Sequence, residues 1–326
     1  MNNRPLKAVV LAAGRSTRMK SSVSKVVHLI LGKEIINFLL DSLVDVGLAE
    51  EEIIVVVGDN EEEVRRAVKR RVRYARQEQQ LGTAHALLST APLLKDFRGD
   101  LLALVGDNPY VTAAELRNLL AAHQRASSHC TFISALFPSM PPPYGRVLRA
   151  VDGAVSGVAE EIDATAEQLA IREVNSSLYA FDWEVAGPLL PRIGNRNAKK
   201  EYYLTDIIAI LKKERRRIEA VRTEDFRVAI GINNRWELQE AQKAFNDENL
   251  RRLALERGVT VLQPETVTVE YGVEIGADTV LYPSTYLAAG TRIGRSCRIG
   301  PFVYLRDCQL PDYTELAFAS RSGSNS

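Results

Sequence analysis

The run LAAGRSTRMK (Leu11 to Lys20) leaves an apolar stretch through small residues and Gly14 and supplies the cation Arg18, with Lys25 one or two turns further on. The backbone of Leu11, Ala12, Ala13 and Gly14 in such a strand-to-helix loop can cradle a phosphate through its N–H groups. The loop lacks GK[ST] and GxGxxG, so the mechanisms of those motifs do not transfer to it. Asp107, in a Gly-Asp turn, and Asn233, in GINNR, offer hard oxygens of the kind Mg²⁺ accepts while keeping waters and phosphate oxygens. Taken alone, Asp107 also reads as a turn or helix-capping residue and Asn233 as a loop residue.

The elements that must place these groups follow from the apolar pattern. KAVVLAA (Lys7 to Ala13) reads as a buried parallel strand, followed by a loop and an amphipathic helical segment bearing Val26, Val27, Leu29 and Ile30. The alternation recurs with IIVVVGD before a charged helix and with LLALVGD before a helix near Ala113 to Ala126, giving a doubly wound, Rossmann-like α/β domain. Ligands of such sheets bind beyond the carboxyl ends of the strands, where the loop after Ala13 and the turn at Gly106 and Asp107 fall.

Past a connecting helix read at 236–257, Val269, Ile275, Leu281, Leu287, Ile293, Ile299 and Leu305 recur every six residues. Val273, Thr279, Thr285, Thr291, Cys297 and Val303 form a second six-residue register. Two such registers mark a short left-handed parallel β-helix, of little more than two coils, each burying its face only against its neighbours. The expected organisation is 1–235 for the α/β domain, 236–257 for the helix, 258–316 for the β-helix and 317–326 for a disordered tail.

The 46% hydrophobic content suits a folded core, and 42 Lys and Arg against 41 Asp and Glu give a net charge of +1, so no broad field attracts nucleic acid or a membrane. The basic runs at Arg65 to Arg73 and Lys212 to Arg217 read as solvated faces. Three scattered cysteines without CxxC spacing argue against a disulfide framework or structural zinc, and no apolar run is long enough to span a membrane. A cytoplasmic location is the expectation.

The run Leu11 to Lys33 resembles the signature of sugar-nucleotide pyrophosphorylases, above all the uridylyltransferase half of the bifunctional N-acetylglucosamine-1-phosphate uridylyltransferase/acetyltransferases, the GlmU family. QEQQLGTAHAL (Gln77 to Leu87), VGDNP, YGRVLR, EEIDAT, EVNSSLY, EYYLTDII and GINNR follow in that family's order. The resemblance implies transfer of UMP from UTP to N-acetylglucosamine 1-phosphate, feeding cell-envelope precursors. It assigns Arg18 and Lys25 to catalysis and Asp107 with Asn233 to Mg²⁺. Gln77, Gln80, Gly82 and Thr83 fall where the family reads uracil. Gly145, Glu160, Asn175, Glu201, Tyr203 and Thr205 fall on the sugar-phosphate side. A homotrimer through the β-helix is implied as well. The acetyl-transfer coils have no counterpart in this sequence, so acetyltransferase activity is expected to be absent.

Five positions depart from the family. Ser16 and Ser177 stand in place of glycines, Ser24 of a proline, Val105 of a tyrosine and Ile162 of a lysine. Ser16 is expected to strain a positive-φ backbone, and Ser24 to loosen the placement of Lys25. Another sugar or nucleotide, or a non-catalytic nucleotide-sugar-binding paralogue, stands beside the leading reading.

Overall fold

The computed structural model describes residues 4–141 and 143–323. It divides into two compact units, Met1–Val27 with Ile35–Ile232, and His28–Glu34 with Asn233–Ser326. The strands before the long helix are β1 (Leu6–Leu11), β2 (Leu29–Ile30), β3 (Lys33–Glu34), β4 (Ile53–Val57), β5 (Arg73–Arg76), β6 (Asp100–Val105), β7 (Cys130–Leu136), β8 (Arg146–Arg149), β9 (Val155–Ala159), β10 (Glu173–Asp182) and β11 (Ile218–Thr223).

In the first unit the sheet runs in the order β11-β7-β10-β6-β1-β4-β5, with β8 and β9 forming a hairpin off β10. β1 pairs in parallel with β4 and β6, while β10 runs antiparallel to β6 and β7, so the sheet is mixed. Consecutive residues of β1 are buried because both faces are covered. Ala8 and Val10 pack with Ile36, Leu39 and Leu43 of the helix Ile35–Val46 and with Leu116 and Leu119 of Ala113–Ala126. Val9 faces the other layer, with Ala84, Leu87, Ile207 and Leu211. Removing a buried leucine side chain from such a layer costs about 2–5 kcal/mol.

The chain leaves β1 for β4 and β5 on one side, then returns to β6 on the other. The strand order therefore reverses between β1 and β6, and a crevice opens at the carboxyl ends of these two strands.

Two local expectations change. Val26 to Ile30 form no α-helix: Lys25–Val27 is a single 3₁₀ turn, and Leu29–Ile30 pairs antiparallel with Lys33–Glu34 around Leu31 at φ 49° and Gly32 at φ 80°. Positive φ at both Leu31 and Gly32 makes the two-residue turn of a tight hairpin, which Gly32 adopts without steric cost.

The β-helix also has more coils than the six-residue pattern indicated. Its short strands stack in three parallel sheets, of four, four and three strands, from Thr260–Val261 to Ala319–Ser322. Leu287 aligns with Val269 and with Leu305, eighteen residues away in each direction, and all three are buried. After Leu305 the period slips: Ile293 aligns with Leu310, seventeen residues on, so strict hexad counting stops too early. Residues expected in a disordered tail instead form Ala319–Ser322, hydrogen-bonded in parallel to Val303–Arg306, because backbone pairing does not require apolar side chains. Residues 324–326 of that expected tail lie outside the described residues.

In the second unit Asn234 caps the helix Arg235–Arg257, its side chain accepting from the Glu237 N–H at 2.9 Å. The hairpin belongs to this unit. The Leu31 N–H donates to Gln242 Oε1 at 2.7 Å, and the Tyr271 N–H donates to Leu31 O at 3.0 Å.

Candidate active site

The loop after β1 and the turn after β6 meet at the strand-order reversal, where the Gly106 N–H donates to Leu11 O at 2.9 Å. Lys25 Nζ forms an ion pair and hydrogen bond with Asp107 Oδ2, both side chains being mostly buried. The backbone at Gly231 lies directly against this carboxylate: a Cβ there would stand 2.9 Å from Asp107 Oδ1. Gly231 thus leaves room that any other residue would fill. Arg18 sits exposed on the short 3₁₀ turn Thr17–Met19, and a Cβ on Gly14 would meet nothing within 4 Å, so the loop's outer face is open. Ala12 and Ala13 are buried beneath it.

Ser16 adopts φ 55° and ψ 28°, the left-handed conformation expected at this position. Its Oγ accepts the Lys25 N–H at 2.9 Å. Ser24 behaves differently from the expectation. It is buried, its N–H donates to Glu63 Oε2 at 2.8 Å, and its Oγ accepts from Asn60 Nδ2 at 2.9 Å. The residue before Lys25 is therefore held by hydrogen bonds, the first of which proline, lacking an N–H, could not make.

On the expected base side, buried Gln77 donates from Nε2 to Gly82 O at 3.1 Å and lies 3.0 Å from His85 Nδ1. Gly82 has φ 115°, and a Cβ there would stand 2.5 Å from Tyr202 O, so both conformation and contact require glycine. Thr83 Oγ1 accepts the Leu204 N–H at 2.9 Å, which ties this turn to the segment carrying Glu201, Tyr203 and Thr205. Gln80 accepts from Arg15 Nε at 3.1 Å, and its Nε2 packs where a side chain on Gly58 would stand.

The expected sugar-side residues also converge. Thr205 Oγ1 donates to Glu160 Oε1 at 2.9 Å, a Cβ on Gly145 would lie 3.5 Å from the same oxygen, and the Asn175 N–H donates to Gly145 O at 2.9 Å. Asn175 Nδ2 donates to Tyr179 Oη at 2.7 Å. Ser177, at φ 60°, sits at the register shift between β10 and β7, and its N–H donates to Asn175 Oδ1 at 3.3 Å. Burial raises the Glu160 carboxyl above its ordinary value, partly offset by the Thr205 hydrogen bond. Among the described residues the buried Tyr203 hydroxyl has no hydrogen-bond partner, and burial together with nearby carboxylates pushes its pKa up to about 12. A neutral phenol of this kind is a ready donor to a ligand oxygen. Glu201 exchanges backbone hydrogen bonds with the Asn197 side chain. Ile162 is exposed and Val105 half-buried.

Asn233 is the first residue of the second unit's longer segment; it is buried, and its N–H donates to Glu237 Oε2 at 2.7 Å. Among the described residues no group of three His, Cys, Asp or Glu side chains could cage a metal. A single carboxylate such as Asp107 fits Mg²⁺, which is held by one or two protein oxygens and completed by waters and phosphates. Zinc would need a fuller set of ligands. All three cysteines are buried and unpaired.

Arg15, Asn60 and Glu63 were not singled out by sequence reasoning. The tetrapeptide VGDN, which ends both β4 and β6, is the signal that finds Asn60. At each copy the asparagine amide reaches back to a main-chain carbonyl, Asn60 to Ala12 O at 2.8 Å and Asn108 to Val228 O at 2.6 Å. The cationic stretch after Glu61 is met by carboxylates, with Arg65 on Glu61, Arg66 on Glu62 and Arg70 on Asp41 and Glu50. No helix of the described residues is long and apolar enough to cross a membrane.

Residues 8–168 match the MobA-like NTP transferase domain family. The chain is 41% identical over 316 residues to the bifunctional protein GlmU of Syntrophotalea carbinolica, covering 96% of this chain and 66% of that protein. It is 39% identical over 306 residues to its counterpart in an Exiguobacterium species, covering 94% and 67%. With the Geobacillus thermodenitrificans protein it shares 37% over 309 residues, covering 95% and 66%. The chain thus spans about two thirds of the length of these curated relatives.

Proposed function

The chain belongs to the GlmU family, and from that premise we propose that it transfers UMP from UTP to N-acetylglucosamine 1-phosphate, forming UDP-N-acetylglucosamine and releasing pyrophosphate in a Mg²⁺-dependent reaction. The observation that carries this reading is the pairing of Lys25 with Asp107 at the strand-order reversal, beside a loop bearing Arg18.

A phosphate oxygen of the sugar phosphate attacks the α-phosphorus of UTP, and the bond from that phosphorus to the bridging oxygen of pyrophosphate breaks. The nucleophile is already anionic, so no side chain has to remove a proton. The protein's work is to align two polyanions and neutralise the charge that develops between them. Arg18 and Lys25 supply cationic donors for the phosphates. Gln77, Gln80, Gly82 and Thr83 face the base, while Gly145, Glu160, Asn175, Glu201, Tyr203 and Thr205 orient the sugar. When bound, Mg²⁺ polarises phosphate oxygens and offsets charge on the departing pyrophosphate. Asp107 is the ligand this unit offers it, and the family resemblance assigns a second oxygen from Asn233.

A different acceptor sugar is the second reading, favoured by Ser177 at the bulge beside Asn175 and by Ile162 in place of a lysine. A panel of nucleoside triphosphates and sugar 1-phosphates, scored by pyrophosphate release with and without EDTA, separates the two. Turnover confined to UTP and N-acetylglucosamine 1-phosphate supports the first, and preference for another sugar supports the second. Uniform inertness, with UDP-sugar still binding, leaves only a non-catalytic nucleotide-sugar-binding role.

A further inference from the structure

Between Ser16 and Lys25 the chain forms only short turns, so the direction of Lys25 is not set by a helix or a strand. It is set by side chains from elsewhere. The Ser24 N–H is taken by Glu63 Oε2 at 2.8 Å, and the Lys25 N–H by Ser16 Oγ at 2.9 Å. Asn60 then ties three segments at one point. Its Nδ2 donates to Ala12 O at 2.8 Å and to Ser24 Oγ at 2.9 Å, while its Oδ1 accepts the Gly58 N–H at 3.0 Å. Ser24 is buried, so its polar atoms have little access to water if these partners are lost.

We propose that Asn60 and Glu63 are positioning residues for Lys25: through Ser24 they lock the end of β1, the Gly58 turn and the lysine into one rigid piece, and so hold Nζ on Asp107. The bonds that carry this role, from Asn60 and Glu63 to Ala12, Ser24 and Gly58, are all to other protein groups. Their effect on turnover rests on the reading of Lys25 given above, because displacing a catalytic group by about 1 Å costs up to about 100-fold in rate. Their effect on Lys25 itself does not depend on that reading.

The test is made on the full chain with two readouts. The first is trace acylation by acetic anhydride with mass-spectrometric quantitation, comparing Lys25 with the exposed Lys95 in the same molecule. Loss of one or two hydrogen bonds from the Ser24 hub frees the ammonium, so Asn60→Ala and Glu63→Ala raise Lys25 labelling about threefold to tenfold. Glu63→Gln keeps an acceptor oxygen and leaves labelling near the wild-type level. Ser24→Ala removes only the bond from Asn60 and gives the smaller increase, which keeps the idea testable should Asn60→Ala fail to fold. The second readout is a double-mutant cycle on pyrophosphate release. Asn60→Ala lowers kcat about tenfold or more with less change in the KM for UTP, yet adds nothing to Lys25→Ala. Unchanged Lys25 labelling in folded Asn60→Ala protein, or kcat losses that multiply in the double variant, overturns the proposal. If wild-type protein turns over no substrate pair, the proposed activity fails, and the labelling still decides the positioning claim.

Discussion

Left-handed backbone appears in both units, and it is used in opposite ways. In the β-helix it recurs at Gly272, Asp278, Ser284, Gly290, Ser296 and Phe302, one residue at every sixth position, three residues before each buried aliphatic from Ile275 to Leu305. It turns a corner there, at residues as different as glycine, aspartate, serine and phenylalanine. In the first unit it occurs at the non-glycine residues Ser16, Lys20, Ser127, Ser177, Lys200 and Arg215, without a period; Ser16 and Ser177 fall among the candidate site residues, and Ser16 Oγ also accepts the Lys25 N–H. A conformation that is periodic is architecture shared by many coils. Where it has no period and falls among hydrogen-bonded polar groups, as at Ser16, local strain is tolerated for a particular placement.

The comparison is broken most severely at the single-copy site. Asp107→Ala removes the carboxylate that meets Lys25 and is expected to cut kcat of the folded protein for pyrophosphate release by about 10³-fold, measured at saturating substrates. A loss below about tenfold would place the chemistry elsewhere.

In the repeated region the damage is to stability. Leu281→Ala, at a side chain fully buried between coils and paired in register with Ile299, is expected to cost about 3 kcal/mol in denaturant unfolding, with kcat of the folded protein retained. Leu281→Ala and Ile299→Ala together should depart from additivity because the two side chains share one layer.

Glu160 sharpens the contrast by setting function against stability. Its folded-state pKa is raised by burial, so the folded chain holds this proton more tightly than the unfolded chain. Stability is therefore lost as pH rises from the ordinary carboxyl value of 4.5 through the raised folded value. Glu160→Gln removes that loss: equilibrium unfolding should show a more stable protein at pH 7 and little difference at pH 4. The same substitution is expected to raise the KM for the sugar phosphate about tenfold, since a charge-assisted acceptor is gone.

The smallest effects separate backbone strain from hydrogen bonding. Ser284→Gly relieves a corner conformation and should shift stability by less than about 1 kcal/mol. Ser16→Gly relieves similar strain but loses the bond to Lys25, whereas Ser16→Ala keeps the strain and loses the bond. The order of kcat expected is wild type, then glycine, then alanine, and equal values for the two variants would deny Ser16 a conformational role.

The repeated region was legible in the sequence wherever its period held. Val269 to Leu305 gave the coils directly, and the slip after Leu305 hid the later strands because a seventeen-residue coil breaks a six-residue count. The alternation of apolar runs likewise gave β1, β4 and β6, and with them the place where Lys25 meets Asp107. The resemblance supplied Glu160, Asn175 and Thr205, which lie far apart in sequence and carry no local pattern. The hairpin at Leu29 to Glu34 was missed because apolar residues over so few positions fit a helix and a strand equally well. Glu63 was missed for another reason: its bond is to the Ser24 N–H, 39 positions away, and no local propensity encodes it, while Asn60 is marked only by the repeat of VGDN after β4 and β6.

That hairpin makes the second unit discontinuous in sequence. The main chain passes from one unit to the other after Val27, returns after Glu34 and passes again after Ile232. Stopping the polypeptide at Ile232 would therefore not yield an intact first unit with a clean end. It would leave residues 28–34 without Gln242 and Tyr271, stripped of the hydrogen bonds at Leu31, on a stretch that starts three residues beyond Lys25. Excision at that point is accordingly a poor way to ask what the first unit does alone, because the cut reaches the lysine through an unfastened loop.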